Sequence, residues 1–410
     1  MNFDQIAALG ERRLKLDDSG GAEFRKTYLH KLSHEGLVNT IHGDAYKFTN
    51  MKTYLEDLSY APKNVPVELD AYVSDEMPTL FFIDGDLQNP ELKLQGVTTQ
   101  VWSDRPEYAE AHALTNLHRA MLTDGVKVTV EKNTELSRPI RILHLISKSG
   151  VIAPTVVIDA QANSSCTILE ENIALDEAYA LTAETYVHVR PGARVEHLHL
   201  EKGRGQSVHH GASFAHLEKD AQYRNLVFHV SGKLNRRNLL LNVNAPGAHG
   251  ESYNLYLTNE TEQSDIYTEI HHRAADSTSD QLAKGIVDGS SKGIFTGKIH
   301  IHPDAQRVNS AQLNKNLILS KKAQVHSQPQ LEIFADDVKC SHGSTTGQLS
   351  PEEVFYFESR GIPLEKAKTL LAHGFGLEVV MKIRNKTVRD YVSELVLETL
   401  RSKFKLGGKA

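Results

Sequence analysis

Through most of its length the chain alternates apolar and polar residues with a period of two. Between about residues 126 and 340, short runs such as Val126-Lys127-Val128-Thr129-Val130 and Val195-Glu196-His197-Leu198-His199-Leu200 read as strands with one face buried. A polar turn word ending in alanine recurs just before these strands: Gln161-Ala162, Pro191-Gly192-Ala193, Lys219-Asp220-Ala221, Pro246-Gly247-Ala248, Ala274-Ala275 and Pro303-Asp304-Ala305. The alanines are separated by 31, 28, 27, 27 and 30 residues. Such a period, with β-type texture and no Asn-Gly hairpin signals, predicts a solenoid in which each rung covers its neighbour. A parallel β-helix accounts for the long repeat, whereas a β-sandwich gives no reason for it. Asp288-Gly289-Ser290-Ser291, within 285–293, reads as a flexible excursion from one rung.

The flanks have a different rhythm. Phe24, Tyr28, Leu29 and Leu32 share one face of a helix, with Asp18-Ser19-Gly20-Gly21 as a break before it. Residues 62–102 mix prolines with short β-like runs such as Leu80-Phe81-Phe82-Ile83, ended by a turn at Asp84-Gly85. Ser103-Asp104-Arg105-Pro106-Glu107 carries a cap, a first-turn proline and an early acid, which predicts a helix of about 18 residues stopping at Asp124-Gly125. After residue 345 helix returns: Ser350-Pro351-Glu352-Glu353 is a capping signal closed at Gly361, Pro363 opens a second helix through Lys382, and Thr387 starts a third. Val388, Tyr391, Val392, Leu395 and Leu400 form its apolar stripe, with Arg401, Lys403 and Lys405 at its negative dipole end. The expected division is therefore 1–125 helical and mixed, 126–345 parallel β-helix, and 346–410 helical. The tail is expected to cap an edge of the solenoid.

Composition narrows the function. A net charge of −6 argues against nucleic-acid binding. No run approaches 18 apolar residues and the start lacks a signal-peptide pattern, so a cytoplasmic protein without membrane association is expected. Cys166 and Cys340 are the two cysteines, and in that setting no disulfide is expected. No Gly-x-x-x-x-Gly-Lys-Ser/Thr segment occurs, so the chain has no phosphate-cradling loop of its own. Gly-x-Ser-x-Gly is also missing, and Asp336 and Asp337 point to opposite faces if extended.

Candidate chemistry concentrates in Asp336-Asp337-Val338-Lys339-Cys340-Ser341-His342-Gly343. A thiolate binds iron and reacts with persulfides, imidazole is the commonest metal ligand, and Lys339 is expected to favour the thiolate of Cys340. In an extended segment Cys340 and His342 share one face. By themselves, the two residues fit a packing role at least as well. One cysteine and one histidine cannot fill four positions around iron, so a site built on them needs ligands from a partner. The histidine pairs His209-His210, His271-His272 and His300/His302 lack a third ligand at the local spacing of zinc sites, and read as solvent-face or stacking residues. Cys166 reads as a packed core thiol.

Lys339-Cys340-Ser341-His342-Gly343-Ser344-Thr345-Thr346-Gly347-Gln348 resembles the signature of the SufB/SufD family of the SUF iron-sulfur cluster assembly machinery, in its SufD branch. The resemblance continues through Asp44-Ala45-Tyr46-Lys47-Phe48-Thr49-Asn50, Leu122-Thr123-Asp124-Gly125-Val126, Arg138-Pro139-Ile140, Phe355-Tyr356-Phe357-Glu358-Ser359-Arg360-Gly361-Ile362 and residues 367–371. The SufB branch carries a Glu-rich word in place of Cys340-Ser341-His342, and a cysteine on the preceding rung where this chain reads Leu313-Asn314-Lys315-Asn316. The resemblance implies a right-handed parallel β-helix flanked by helical regions. It also implies a non-catalytic scaffold that pairs with a SufB-type paralogue through the β-helix and with a SufC-type ATPase through the C-terminal helices. In that setting His342 is the expected interface ligand, and Cys340 an assisting thiol, for a transient iron-sulfur cluster shared with the partner. ATP-driven closure of the ATPases would then rearrange the paired interface. Flavin binding and homodimer formation by the isolated chain are left open. Two other readings stand beside it. A polysaccharide-active β-helix enzyme is disfavoured by the missing signal peptide and the lack of aligned acids. A self-associating structural solenoid is disfavoured by the helical flanks.

Overall fold

The computed structural model describes residues 10–11, 19–35, 45–56, 66–102, 114–175 and 178–404. Two sheets are begun by β1 (Thr79–Ile83), β2 (Asp86–Leu87), β3 (Val97–Val101), β4 (Gly125–Val130), β5 (Ile140–Ile146), β6 (Gly150–Ile152) and β7 (Thr155–Ala160). They continue through β8 (Ser165–Ala174), β9 (Tyr179–Val189), β10 (Arg194–Lys202), β11 (Val208–Leu217), β12 (Gln222–Ser231), β13 (Leu234–Val243) and β14 (His249–Thr258). The last rungs are β15 (Gln263–His272), β16 (Thr278–Val287), β17 (Lys292–Ile301), β18 (Val308–Ile318), β19 (Gln324–Ile333) and β20 (Val338–Gly347). From β7 onward, successive strands fall alternately into the two sheets, and each pairs in parallel with the strand two places on. The result is a parallel β-solenoid of about eight turns.

The turn word works through backbone conformation. Asn163, Gly192, Asp220, Gly247 and Asp276 all have positive φ, between 56° and 75°. Glycine, asparagine and aspartate tolerate this left-handed geometry. Each of their N–H groups donates to a carbonyl of the next turn, at 2.9–3.1 Å, so the turns form a ladder of their own. The residue that follows is small and buried: Ser164, Ala193, Ala221, Ala248 and Ser277. The small inward residue at two of these turns is thus Ser164 and Ser277, two places beyond the alanines Ala162 and Ala275. The stretch 285–293 is no excursion either. Asp288–Ser291 is a tight turn between β16 and β17, with Gly289 at φ 63° and Ser291 fully buried.

Strand alternation separates two interiors. In β10, Val195, His197, His199 and Glu201 face the lumen between the sheets, while Leu198 and Leu200 lie outside in the cluster built with the C-terminal helices. Both faces are buried, which corrects the expectation of one. One side of the lumen is apolar, with Val126, Val128, Ile142, Ile158, Ile168, Val187 and Leu239. The other side is polar, through His144, Glu170, Glu201 and His209.

The N-terminal helices are α1 (Ser19–Glu35), α2 (Met51–Glu56) and α3 (Thr115–Ala120). Ser19, Gly20 and Gly21 fall within the first turn of α1 instead of breaking it, and Asp18 lies outside the described residues. Of the helix expected to begin near Ser103, residues 103–113 lie outside the described residues. Its described part ends at Ala120, four residues short of Asp124. β1 and β3 precede residue 126 but already belong to the sheets, through pairing with β5 and β4. Asp84 and Gly85 form the β1–β2 turn with φ of 52° and 88°, both positive as a tight hairpin requires.

Leu32, Met51, Leu55 and Leu117 pack over Val151, Ala180, Val208 and Leu234. Beside them lies a buried ion pair, Arg236 with Asp265, at 0% and 2% side-chain exposure. Arg236 also donates to the Ala45 carbonyl at 2.7 Å and lies 3.7 Å from the centroid of the Tyr46 ring, while Thr49 donates to Asp265.

At the other flank stand α4 (Pro351–Glu358), α5 (Leu364–Val380) and α6 (Lys386–Lys403). Ser350 caps α4 and Asn385, not Thr387, caps α6, each accepting from a backbone N–H three residues on. Val379, Val380, Val388, Val392, Val396 and Leu400 cover the outer leucines of the solenoid. The tail therefore lies on a sheet face. The terminal strands β19 and β20 keep their outer edges unpaired among the described residues, contrary to the expectation that the tail caps an edge.

Asp265→Ala leaves the Arg236 guanidinium buried and uncompensated, and is expected to cost about 3–5 kcal/mol in urea unfolding. A loss below about 1 kcal/mol would show that the clamp is not holding residues 45–56 to the sheet.

Candidate functional site

β20 is the last rung, and its register fixes where Cys340 and His342 point. Cys340 pairs with Ser310 and His342 with Gln312. Ser310 and Gln312 are buried lumen residues of β18, so Cys340, His342 and Ser344 carry the lumen-facing rows to the open end. Ser344 reaches Ser327 of β19 across that mouth, Oγ to Oγ, at 2.8 Å. His342 is exposed, and Cys340 is half-buried against the cluster of Ile299, Ile301, Ala305, Val308 and Ala335. The shared face expected from the i, i+2 spacing is present.

Followed back through the register, the row of His342 runs through Gln312, Gln281, Ser252, Asn225 and His197. The row of Cys340 runs through Ser310, Ser279, Gly250, Tyr223 and Val195 to Cys166. Adjacent members sit about 4.8 Å apart. Side-chain hydrogen bonds join several of them, Ser279 to Ser310 at 2.6 Å and Gln312 to Gln281 at 3.2 Å, and Thr268 of β15 donates to Gln281 from the facing sheet at 2.7 Å.

The deep end of the polar lumen is charged. Glu170 meets His197 at 2.8 Å, Arg237 donates to His199 at 2.9 Å and to Ser213 at 2.8 Å, and Glu201 meets His209 at 2.9 Å. Burial opposes ionisation of Glu201, but the His209 hydrogen bond and the charges of His209 and Arg237 outweigh it, leaving the carboxyl at about 2. Burial drives His229 down to about 3 and His144 to about 4, so both are neutral at pH 7. Glu170, His197 and His199 have converging donor atoms, but the Arg237 guanidinium on His199 opposes a cation there.

Cys340 does not behave as its neighbour Lys339 suggested. Alternation turns Lys339 to the opposite face, and burial pushes the Cys340 thiol up, against a smaller opposing hydrogen bond with the Ser310 backbone. The thiol form prevails at neutral pH, and metal binding must displace its proton. Cys166, 4% exposed in the core, is pushed up to about 12 by burial alone. Among the described residues, no third His, Cys, Asp or Glu brings a donor atom together with Cys340 and His342.

Two surface features complete the picture. A cavity of about 660 Å³ opens between β20 and the α4–α5 pair, lined by Thr346, Leu349, Phe357, Leu370 and Phe375. Beside it Phe355 and Tyr356 are 68% and 54% exposed. On the outer face of the other sheet, His271 of β15 lies beside His300 of β17 and the adjoining His302, which supplies the third imidazole that local spacing did not reveal.

Residues 144–375 match the family model of the SUF system FeS cluster assembly SufBD core domain. The chain belongs to the SufBD family. The SufBD match begins within β5 and ends within α5, so it includes the polar part of the lumen, the mouth and Cys340 and His342. Relatives agree in breadth. The chain is 25% identical to the iron-sulfur cluster assembly protein SufD of Escherichia coli over 382 residues, 89% of this chain and 90% of that one. It is 29% identical over 333 residues, 74% of each chain, to a SufBD family iron-sulfur cluster assembly protein of Synechocystis. SufD of Bacillus subtilis is 25% identical over 297 residues, 70% of this chain and 67% of that one.

Alkylation of the folded chain should modify Cys340 alone, with a pH midpoint above the ordinary cysteine value of about 8.5, and should reach Cys166 only on unfolding. Mass-spectrometric mapping after a pH series checks this. Rapid labelling of Cys340 at pH 7 would contradict the burial argument.

Proposed function

We propose that this chain is a non-catalytic, cytoplasmic scaffold subunit for iron-sulfur cluster assembly, and that its open solenoid end is the working surface. The observation that carries the proposal is the placement of Cys340 and His342 on the terminal strand β20, whose outer edge is unpaired among the described residues. An unpaired strand edge favours β-type pairing with another chain. A SufB-type paralogue, itself expected to be a β-helix, is the partner of matching shape.

In this reading Cys340 and His342 are two ligands of a nascent iron-sulfur cluster, and the partner supplies the rest. The cluster is cargo, so ligation that is incomplete within one chain favours release. His342, exposed at the mouth, contacts iron first. Cys340, held as a thiol by burial, gives up its proton as it binds. A SufC-type ATPase docks on α4 and α5, where Phe355, Tyr356 and the neighbouring cavity offer apolar surface to a partner. ATP-driven closure of that partner then moves the paired edge.

The test is anaerobic reconstitution of the complex with its partners. His342→Ala and Cys340→Ser should assemble normally but lower cluster yield by at least about tenfold, since even outer-shell changes at metal sites reach that size. Wild-type yield in the double variant would remove both residues from the site. Phe355→Asp should instead abolish ATPase capture while leaving paralogue binding intact.

A further inference from the structure

Solenoid stacking gathers a second set of metal-ligating side chains, far in sequence from one another and separate from β20. On the outer face of the β15–β17–β19 sheet, Glu269 is in register with Lys298, His271 with His300, and His300 with Glu332. His302 follows two places after His300, on the same face. Ring centroids are 4.4 Å apart for His300 and His302, 5.1 Å for His271 and His300, and 5.5 Å for His271 and His302. One nitrogen from each ring lies within 4.8 Å of the other two. The patch is recessed, with His271 and His300 at 15% and 20% side-chain exposure.

Two carboxylates hold the outward nitrogens. His271 Nε2 donates to Glu269 at 2.9 Å, and His300 Nδ1 donates to Glu332 at 2.8 Å. These bonds fix the tautomers, leaving the lone pairs on His271 Nδ1 and His300 Nε2. Metal-bound histidines commonly have such a carboxylate behind them, which orients the ring and raises its basicity. His271 Nδ1 and His302 Nε2 are 3.3 Å apart. That is long for an imidazole hydrogen bond, but it matches the edge of about 3.3–3.4 Å expected for a tetrahedron with metal–nitrogen bonds of 2.0–2.1 Å.

The charges around the rings select the kind of cation. Lys298 lies 3.0 Å from Glu332 and 3.8 Å from Glu269, so it offsets one of the two carboxylate charges. Burial, followed by the charges of His300, Arg273 and His271, holds His302 below its ordinary value. Both carboxylates are already taken up by a histidine N–H and by Lys298, so calcium or magnesium would find no carboxylate cage. Neutral imidazole lone pairs favour late first-row divalent metals.

We propose that His271, His300 and His302 bind a divalent transition metal of the zinc class, with Glu269 and Glu332 as positioning residues and the fourth position open. The site joins two rungs directly and the third through Glu332. It lies on the sheet that does not contain β20, and it stands or falls independently of the cluster reading.

The experiment titrates the untagged, chelator-treated full chain with Zn2+ and, for its spectrum, with Co2+. Binding of one ion per chain, with tetrahedral Co2+ bands, is expected. His300→Ala and His302→Ala should each weaken Zn2+ affinity at least about 100-fold, and Glu332→Gln about 10–100-fold, the range for outer-shell partners. Circular dichroism of the metal-free variants checks that the solenoid is intact, and the surface change Glu332→Gln decides the case if a histidine variant misfolds. Cys340→Ser/His342→Ala should leave the titration unchanged. Zn2+ affinity indifferent to the His300, His302 and Glu332 changes, or lost on changing Cys340 and His342, would overturn the proposal.

Discussion

In-register parallel stacking is the constraint on which the rest of the molecule depends. Each rung places its side chains about 4.8 Å above those of the last, so residues nearly thirty positions apart become neighbours and every row repeats a chemical choice. An unpaired charge or an oversized side chain in a row is felt by two rungs at once. The Arg236–Asp265 pair, the small residues Ala193, Ala221 and Ala248, and the serines and glutamines leading to His342 are all consequences of this geometry. The ladder of left-handed turns keeps the rungs from slipping past one another.

The arrangement reverses the usual distribution of polarity. Much of the apolar surface of the central strands faces outward, where α5 and α6 cover one sheet and the N-terminal helices the other. The polar part of the lumen is lined by His197, His199, Glu201, Asn225, Gln281 and Gln312. Buried polar groups are tolerated only when paired, and the lumen meets that demand along the rows, as with Glu170–His197 and Gln281–Gln312. The ends of the rows are where the polar side chains of the lumen reach solvent. Cys340 and His342 occupy such an end.

Much of this was legible in the sequence. The period of the turn words gave the solenoid, Asp84-Gly85 gave its hairpin, and Ser350-Pro351 marked α4, because each is a local signal with a local cause. Other features escaped for a common reason. His271 joins His300 and His302 only after a rung is closed, so no third ligand shows at the local spacing of zinc sites. Val195-Glu196-His197-Leu198-His199-Leu200 looked half-exposed because alternation cannot tell a polar lumen from solvent. Lys339 looked like a thiolate activator because adjacency in sequence is opposition across a strand. The tail looked like an edge cap because its apolar stripe does not say whether an edge or a face receives it.

The central claim is that the terminal edge which bears Cys340 and His342 is where a second chain pairs. Hydrogen exchange of the β19 and β20 backbone amides, with and without the SufB-type paralogue, tests it most directly. Marked slowing across Val338–Gly347 on complex formation, with the inner rungs unchanged, is the predicted result. A stable complex that leaves exchange in β20 unaltered would contradict the account.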